Sequence, residues 1–162
     1  MIGISSIETS DWEDILAIQS QVYFDVEPES LETLRSKWST SPELCFVFRD
    51  EKGVPIAYIL AHQWNESHPP SLYTSTTKNE GTMLFIHDLA VSKRGSGRSI
   101  GKQLVQAVLQ AATSFGLREA MLISIQNSQG FWSRFEFKCV VGEHLSATYG
   151  EHAMLMRRDL HE

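Results

Sequence analysis

A short run of glycine and serine residues in the middle of the chain follows an apolar segment and leads into a helical pattern. Alternation predicts a strand over 85–91, a turn over 92–99 and a helix from Ile100 onward. Small residues that open a helix leave backbone N–H groups exposed, and the helix N-terminus carries partial positive charge. Arg98 and Lys102 add positive charge at the same place. These features predict a phosphate-binding turn.

Two well-known phosphate-binding motifs do not fit this turn. The Walker A motif needs a glycine, four residues and then Gly-Lys-Ser/Thr, but Ser96 stands at its first position and Gln103 at its last. The dinucleotide fingerprint needs a third glycine where this chain has Ile100. Neither motif therefore identifies the ligand.

The turn resembles the central motif of the GNAT superfamily of acyl-coenzyme A-dependent N-acetyltransferases. In that motif an apolar strand ending in valine leads through Arg/Gln-Gly-x-Gly-x-Gly/Ala into a helix. An ungapped alignment on Val91 and the helix start fills the four signature positions with Ser96, Gly97, Ser99 and Gly101. Serine thus replaces Arg/Gln at the first position and glycine at the third. A second alignment, with Arg94 at the first position, is disfavoured because it changes the distance from strand to helix.

A second segment strengthens the resemblance. Residues 131–137 resemble the family's Phe-Tyr-x-x-x-Gly-Phe segment, which follows the next strand and a short helix. Asn127 matches the asparagine that the family carries after that strand, and Trp132 stands where the family has tyrosine. In its order of elements, the resemblance covers essentially the whole chain.

The resemblance implies that acetyl-CoA is the co-substrate and that it lies where the sheet splays open beside the motif strand. Backbone groups of that strand are implied to bind the pantetheine arm, and the turn is implied to bind the pyrophosphate. The implied coenzyme A-binding residues are Leu89, Ala90, Val91, Ser96, Gly97, Arg98, Ser99, Ile100, Gly101, Lys102, Asn127 and Trp132. No metal is expected.

In the family, a neutral amine usually attacks the thioester directly, so a group that removes the ammonium proton is useful. The candidates on the motif strand are His87 and Asp88, which strict alternation places on opposite faces. His87 aligns with a histidine that arylalkylamine N-acetyltransferases use for proton removal. The alternative is a structural role for both residues.

The family's tyrosine often protonates the leaving thiolate, but the indole N–H of Trp132 is not a useful acid. Tyr149 is the substitute candidate. The alternatives are a tyrosine that only packs by its ring, and a thiolate that leaves without direct protonation.

Hydrophobic periodicity predicts the elements that must position these residues. Ser10 and Glu13 form a predicted capping box for the first helix, which ends at Val22. A second helix is expected over about 28–39. Further strands are expected at 2–7, 43–49, 55–64, 118–125, 137–141 and 153–158. The order β-α-α-β-β-β-α-β-α-β-β predicts an α/β fold with a mixed, mainly antiparallel central sheet flanked by helices, as in the GNAT (acyl-CoA N-acyltransferase) fold, in a single domain over 1–162.

The acceptor pocket is expected to depend on the loops at 23–29, 65–81 and 143–152. Its candidate lining residues are His62, Trp64, His144 and Tyr149. A carboxylate at 27 or 29 could meet a cationic substrate, although a solvated acidic loop is the simpler explanation.

Composition narrows the class of protein. With 42% hydrophobic residues among 162, the chain can build a core, and its apolar runs are too short to span a membrane. The net charge of −6 disfavours a nucleic-acid partner. Cys45 and Cys139 lack metal-ligand spacing and are expected to be buried free thiols. No signal peptide is expected, and the expected location is the cytoplasm.

The expected activity is transfer of an acetyl group from acetyl-CoA to the amino group of a small molecule or a peptide. Two alternatives stay open: acetylation of a protein lysine or N-terminus, and a non-catalytic domain that binds acyl-CoA for regulation. Neither nucleic acid nor membrane is an expected partner. The oligomeric state is open, with a homodimer as the candidate assembly.

Overall fold

The computed structural model describes residues 2–23, 27–65, 68–73, 80–141, 145, 149 and 152–160. Its helices are α1 (Trp12–Val22), α2 (Leu31–Thr40), α3 (Ile100–Ser114) and α4 (Gln129–Ser133). Its strands are β1 (Gly3–Ser6), β2 (Phe46–Arg49), β3 (Pro55–Trp64), β4 (Met83–Val91), β5 (Glu119–Ser124), β6 (Lys138–Cys139) and β7 (Met154–Asp159). No helix among the described residues is long and apolar enough to cross a membrane.

The strands form one sheet in the order β1-β2-β3-β4-β5-β7-β6. The β4–β5 pair is parallel, and every other neighbouring pair is antiparallel. The predicted hairpin of β2 and β3 and the predicted final hairpin of β6 and β7 are both present. The predicted α/β fold with a mixed, mainly antiparallel sheet is therefore confirmed.

Helices cover both faces of the sheet. On one face, α3 presents Ile100, Leu104 and Val108, and Trp132 of α4 joins the same core. These α3 residues recur every four positions, which gives the helix a continuous apolar stripe. On the other face, α1 and α2 contribute Ile15 and Leu34 to a second core. The sheet is thus held between two apolar layers.

Among the predicted details that differ from the structure are the capping box, the start of α2 and the burial of the cysteines. The capping box joins Glu8 and Asp11, whose carboxylate accepts the Glu8 N–H at 2.7 Å, because residues 9–11 form a single 3₁₀ turn before α1. The predicted box of Ser10 and Glu13 is therefore wrong. α2 begins at Leu31, three residues after its predicted start, because the Ser30 hydroxyl caps it by accepting the Thr33 N–H at 3.2 Å.

The third difference concerns the cysteines. Cys45 is a buried free thiol, as predicted, and burial raises the pKa of its thiol. Cys139 is free but exposed, because it lies on β6, a two-residue strand at the edge of the sheet. The apolar run around Cys139 predicted a buried strand, and the edge position explains the error.

Candidate active site

The sheet opens between β4 and β5. Their parallel pairing runs from Met83 and Glu119 to Ile86 and Leu122 and stops there, although β4 continues to Val91. Beyond Ile86, β4 stays paired with β3 on its other side. This separation is the opening that the family resemblance implied beside the motif strand.

A cavity of about 220 Å³ occupies this opening. Each of the three predicted acceptor loops contributes to its wall, through Tyr23, Glu27, Glu29, Leu72 and Tyr149. Its other walls come from α1, β4, β5, the segment after β5, and α4: Gln19, Val22, Ile86, His87, Asp88, Leu89, Leu122, Ile123, Ile125, Gln126, Ser128, Phe131 and Trp132. His144 lies outside the described residues.

The backbone of β4 is irregular at His87. Asp88 lies opposite Leu60 and Ile86 lies opposite Ala61, so His87 is an extra residue without a partner on β3, a β-bulge. Ile86 and Leu89 both face the α3 core, so the two residues between them share the opposite face. The prediction that His87 and Asp88 point to opposite faces is therefore wrong, and the bulge brings both side chains to the cavity.

The Asp88 carboxyl group lies beside two tyrosines. The Tyr58 hydroxyl donates to Asp88 Oδ2 at 2.6 Å, and the neighbouring Tyr23 hydroxyl acts on the pKa of this carboxyl group. Burial raises the pKa of Asp88 to about 6, although the neighbouring His87 and both hydroxyls act to lower it. Burial and the charge of Asp88 raise the pKa of both tyrosines well above its usual value, so both keep their protons. Asp88 is thus a carboxyl group that changes its charge near pH 6.

His87 pairs with an acid from a distant part of the chain. Its Nε2 lies 2.5 Å from Glu29 Oε1, and the two side chains are only 1% and 5% exposed. Burial acts to raise the pKa of Glu29, but the charge and hydrogen bond of His87 and the Tyr73 amide outweigh it, so the net pKa is lowered. Glu29 is therefore a buried carboxylate. The sequence does not indicate His87 as the partner of Glu29, because 58 residues separate the two.

The predicted phosphate turn has the backbone that its sequence requires. Gly97 and Ser99 have φ angles of +80° and +57°. The first α3 hydrogen bond runs from Gln103 N–H to the Ser99 carbonyl, so the N–H groups of residues 100–102 have no partner within the helix. Two left-handed residues at the first and second glycine positions favour the ungapped alignment.

The side chains around the turn agree with that alignment. The Arg94 guanidinium is engaged by Asp50 in an ion pair. The side chains of Arg98 and Lys102 are exposed. A Cβ built on Gly101 would meet Phe131 Cζ at 3.4 Å, and Phe131 also lines the cavity, so the start of α3 lies against the cavity wall.

The other strand residues of the predicted coenzyme A site lie beyond the bulge. The segment from Leu89 to Val91 pairs with β3 along one edge and faces the opening with the other. The Leu89 carbonyl accepts the Tyr23 hydroxyl at 2.5 Å. Ala90 is buried on the α1/α2 side, and Ile100 is buried in the α3 core, so only the backbone of these two residues could meet a ligand.

Of the two predicted coenzyme A-binding residues after β5, Trp132 lines the cavity and Asn127 does not. Trp132 lines the cavity, is 6% exposed and lies with its ring centroid 5.8 Å from that of Phe137. Asn127 is exposed, with a φ of +60°, and does not line this cavity, whereas its neighbour Ser128 does. Their assignment to coenzyme A binding stays a prediction.

The remaining candidates have structural contacts. The buried Tyr149 lines the cavity, and its hydroxyl donates to the Pro70 carbonyl at 2.6 Å. Burial raises the pKa of Tyr149, and its role as an acid stays a prediction. His62 and Trp64 do not line this cavity, which corrects their predicted place; their rings pack against each other with centroids 5.7 Å apart. Among the described residues, no group of three or more potential ligands could hold a metal ion.

Comparison with known protein families identifies the family to which this chain belongs. The family model described as "Acetyltransferase (GNAT) family" matches residues 12–137. The chain belongs to the GNAT acetyltransferase family. This GNAT match includes β4, the predicted phosphate-binding turn, α3 and the segment around Trp132. No curated protein matches the chain in sequence.

Solved structures show the same GNAT fold at low sequence identity. Ard1 from Thermoplasma volcanium has a TM-score of 0.77 at 16% identity, over 98% of this chain and 97% of that one. The loading GNATL domain of CurA from Lyngbya majuscula reaches 0.82 at 10% identity, over 99% and 98%. The ribosomal-protein-S18-alanine N-acetyltransferase from Escherichia coli reaches 0.70 at 15% identity, over 99% and 94%. These likenesses confirm the predicted GNAT fold along the chain.

Proposed function

We propose that this GNAT protein transfers an acetyl group from acetyl-CoA to a primary amine. The observation that carries the proposal is the bulge in β4, which places His87 and Asp88 together in the wall of the opening between β4 and β5. An ammonium group that reaches this wall meets a carboxyl group that is ionised above about pH 6. It can lose a proton there and become a nucleophile.

The described residues fit coenzyme A. The N–H groups at the start of α3 suit a phosphate group, and no atom lies within 4 Å of a Cβ built on Gly97, so this side of the turn is open. The edge of β4 at 89–91 is free of β5 and can pair with an extended, amide-bearing ligand. Leu122, Phe131 and Trp132 supply an apolar wall.

The chemistry then divides between the co-substrate and the chain. Acetyl-CoA supplies the activated acyl group: the C–N bond to the amine forms, the C–S bond breaks, and coenzyme A leaves as a thiolate that takes up the second proton of the attacking nitrogen. The ammonium proton is taken up first, at the wall that His87 and Asp88 form. The Tyr58 hydroxyl donates to Asp88 and stabilises its ionised form before that proton arrives.

A small amine suits the acceptor side better than a long peptide. His87 and Glu29 are 1% and 5% exposed, so the described residues around them enclose the acidic end of the cavity. Acetylation of a peptide amino group is the second candidate. It is favoured by the likeness to the ribosomal-protein-S18-alanine N-acetyltransferase, and to a structure of the NatC complex bound to Gag peptide and CoA, which has a TM-score of 0.75 at 19% identity. The cytoplasmic location and the homodimer stay predictions.

Mass spectrometry of acetylated products would identify the acceptor. The purified protein is incubated with acetyl-CoA and a panel of polyamines, arylalkylamines, amino acids and short peptides. The proposal expects a small amine to be acetylated fastest. Acetylation of peptides alone would favour the second candidate. Tight acetyl-CoA binding without any product would indicate a regulatory acyl-CoA-binding domain.

A further inference from the structure

Glu29 uses both carboxylate oxygens on different parts of the site. Oε1 lies 2.5 Å from His87 Nε2, and Oε2 accepts the Tyr73 N–H at 2.8 Å. The first contact reaches the bulge of β4, and the second reaches the segment 68–73, which we call the strap. The buried Glu29 carboxylate therefore contacts both His87 in the cavity wall and Tyr73 in the strap.

The position of Glu29 is fixed by its backbone. Its N–H donates to Gln19 Oε1 at 2.9 Å, and its carbonyl accepts Gln19 Nε2 at 3.1 Å. Gln19 is buried on α1, so this two-way bond anchors the residue to a helix of the core. The carboxylate of a residue held in this way is pre-organised, which favours a specific role over incidental contact.

The strap is held against the cavity from several sides. The Tyr73 hydroxyl donates to the Glu27 carbonyl at 2.9 Å, and the Tyr149 hydroxyl donates to the Pro70 carbonyl. Tyr73 has a φ of +68°, a left-handed conformation that costs energy for a residue with a side chain. The bond to Glu29 helps to stabilise that conformation.

We propose that Glu29 is a positioning residue of the reaction, which orients the His87 imidazole with one carboxylate oxygen and holds the strap with the other. The proposal rests on the proposed function, because it gives Glu29 a role through His87. A carboxylate only accepts hydrogen bonds, so it requires the proton of the His87 ring on Nε2. Nδ1, which is buried and has no hydrogen-bond partner among the described residues, is then the ring nitrogen that carries the lone pair. The arrangement follows the logic by which an acid fixes the tautomer of a catalytic histidine.

Glu29→Gln separates the two contacts. A carboxamide has one accepting oxygen and one donating NH₂ group, so it cannot accept from both His87 and Tyr73. Glu32→Gln is the matched control, because Glu32 is exposed on the first turn of α2 and also loses one charge. Glu29→Gln also removes a charge that raises the pKa of Asp88. The variants are therefore compared at pH 8, where Asp88 is ionised with or without that charge.

Three measurements on the full chain test the proposal. With ¹⁵N-labelled histidine, the wild type should show the Nε2–H form of His87, assigned by comparison with His87→Gln. In Glu29→Gln either that signal should change or the Tyr73 amide should exchange about tenfold faster. The kcat of amine acetylation should fall roughly 10- to 100-fold while the acetyl-CoA affinity stays unchanged. Glu32→Gln should match the wild type in all three.

The outcomes separate this inference from the proposed function. A wild type that binds acetyl-CoA without turnover contradicts the proposed function. A wild type that turns over, with Glu29→Gln equal to Glu32→Gln, contradicts the role of Glu29 alone. If Glu29→Gln does not fold, Glu29→Asp replaces it, because its shorter carboxylate cannot span both contacts. Wild-type kcat in Glu29→Asp would then overturn the proposal.

Discussion

At the scale of single residues, the proposed site depends on two adjacent side chains, the imidazole of His87 and the carboxyl group of Asp88. Asp88 accepts a hydrogen bond from Tyr58, whereas His87 bonds to Glu29. Each group therefore has its own support, and each can be altered without removing the other. This separation makes the division of work between them measurable.

Asp88→Asn tests the carboxyl group. The pKa of Asp88 lies near 6, so the fraction able to accept a proton rises as the pH rises through 6. The kcat/KM of the wild type should therefore increase through this range beyond the increase due to free amine. In Asp88→Asn that component should be lost, with kcat/KM about 100-fold lower at pH 7.5.

The matched control is Asp159→Asn, an exposed position at the end of β7, which should keep the wild-type profile. The same amine is used throughout, so that its own titration cancels between variants. An Asp88→Asn profile that parallels the wild type from pH 5 to 8 would exclude Asp88 as the proton acceptor.

At the scale of elements, much of the fold could be predicted from periodicity and little of the site could. The strand at 55–64 was predicted with its observed bounds, because Gly53 and a polar loop delimit its apolar run. The bulge at His87 could not be predicted, because alternation within one strand carries no information on its partner's register. The pairing of Glu29 with His87 was equally hidden, since it depends on how α1 and α2 pack over the sheet.

The phosphate-binding turn has a strained position that can be tested. Ser99 has a φ of +57°, whereas Ser96 has a φ of −60°. Ser99→Gly should raise the free energy of unfolding by roughly 0.5–1 kcal/mol, because glycine adopts positive φ without the cost paid by serine. Ser96→Gly should instead lower it by a similar amount, because it only adds freedom to the unfolded chain. Equal signs in urea unfolding experiments would contradict the geometry of this turn.

A negative charge placed at the start of α3 tests whether the pyrophosphate of acetyl-CoA binds there. The Cβ of a substituted Gly101 has room beside Phe131 and Val91, at 3.4 Å and 3.8 Å, so substitution should leave the fold intact. Gly101→Glu should weaken acetyl-CoA binding about 100-fold, because a carboxylate would repel the pyrophosphate. Gln106→Glu adds the same charge at an exposed position further along α3 and should bind normally in calorimetry. Unchanged affinity in Gly101→Glu would remove the turn from the binding site.

At the scale of the whole molecule, the proposed site lies around one opening in the sheet, between β4 and β5. The β4–β5 separation, the bulge and the start of α3 follow one another along a single stretch of chain, while α1, the strap and Tyr149 line the cavity from other parts of the chain. Family membership could be recognised from the sequence, because the motif and its order survive two serine replacements. The contacts of the loops that line the cavity could not, because periodicity does not describe loops.

The decisive measurement is the release of coenzyme A thiol with and without an amine. In the proposed function, the opening holds acetyl-CoA beside a wall that takes a proton from the amine. Thiol release by the wild type at pH 8 should therefore depend on the amine and saturate with it, and it should be lost in Gly101→Glu. Release that is equal with and without every amine tested, despite tight acetyl-CoA binding, would contradict the proposed function.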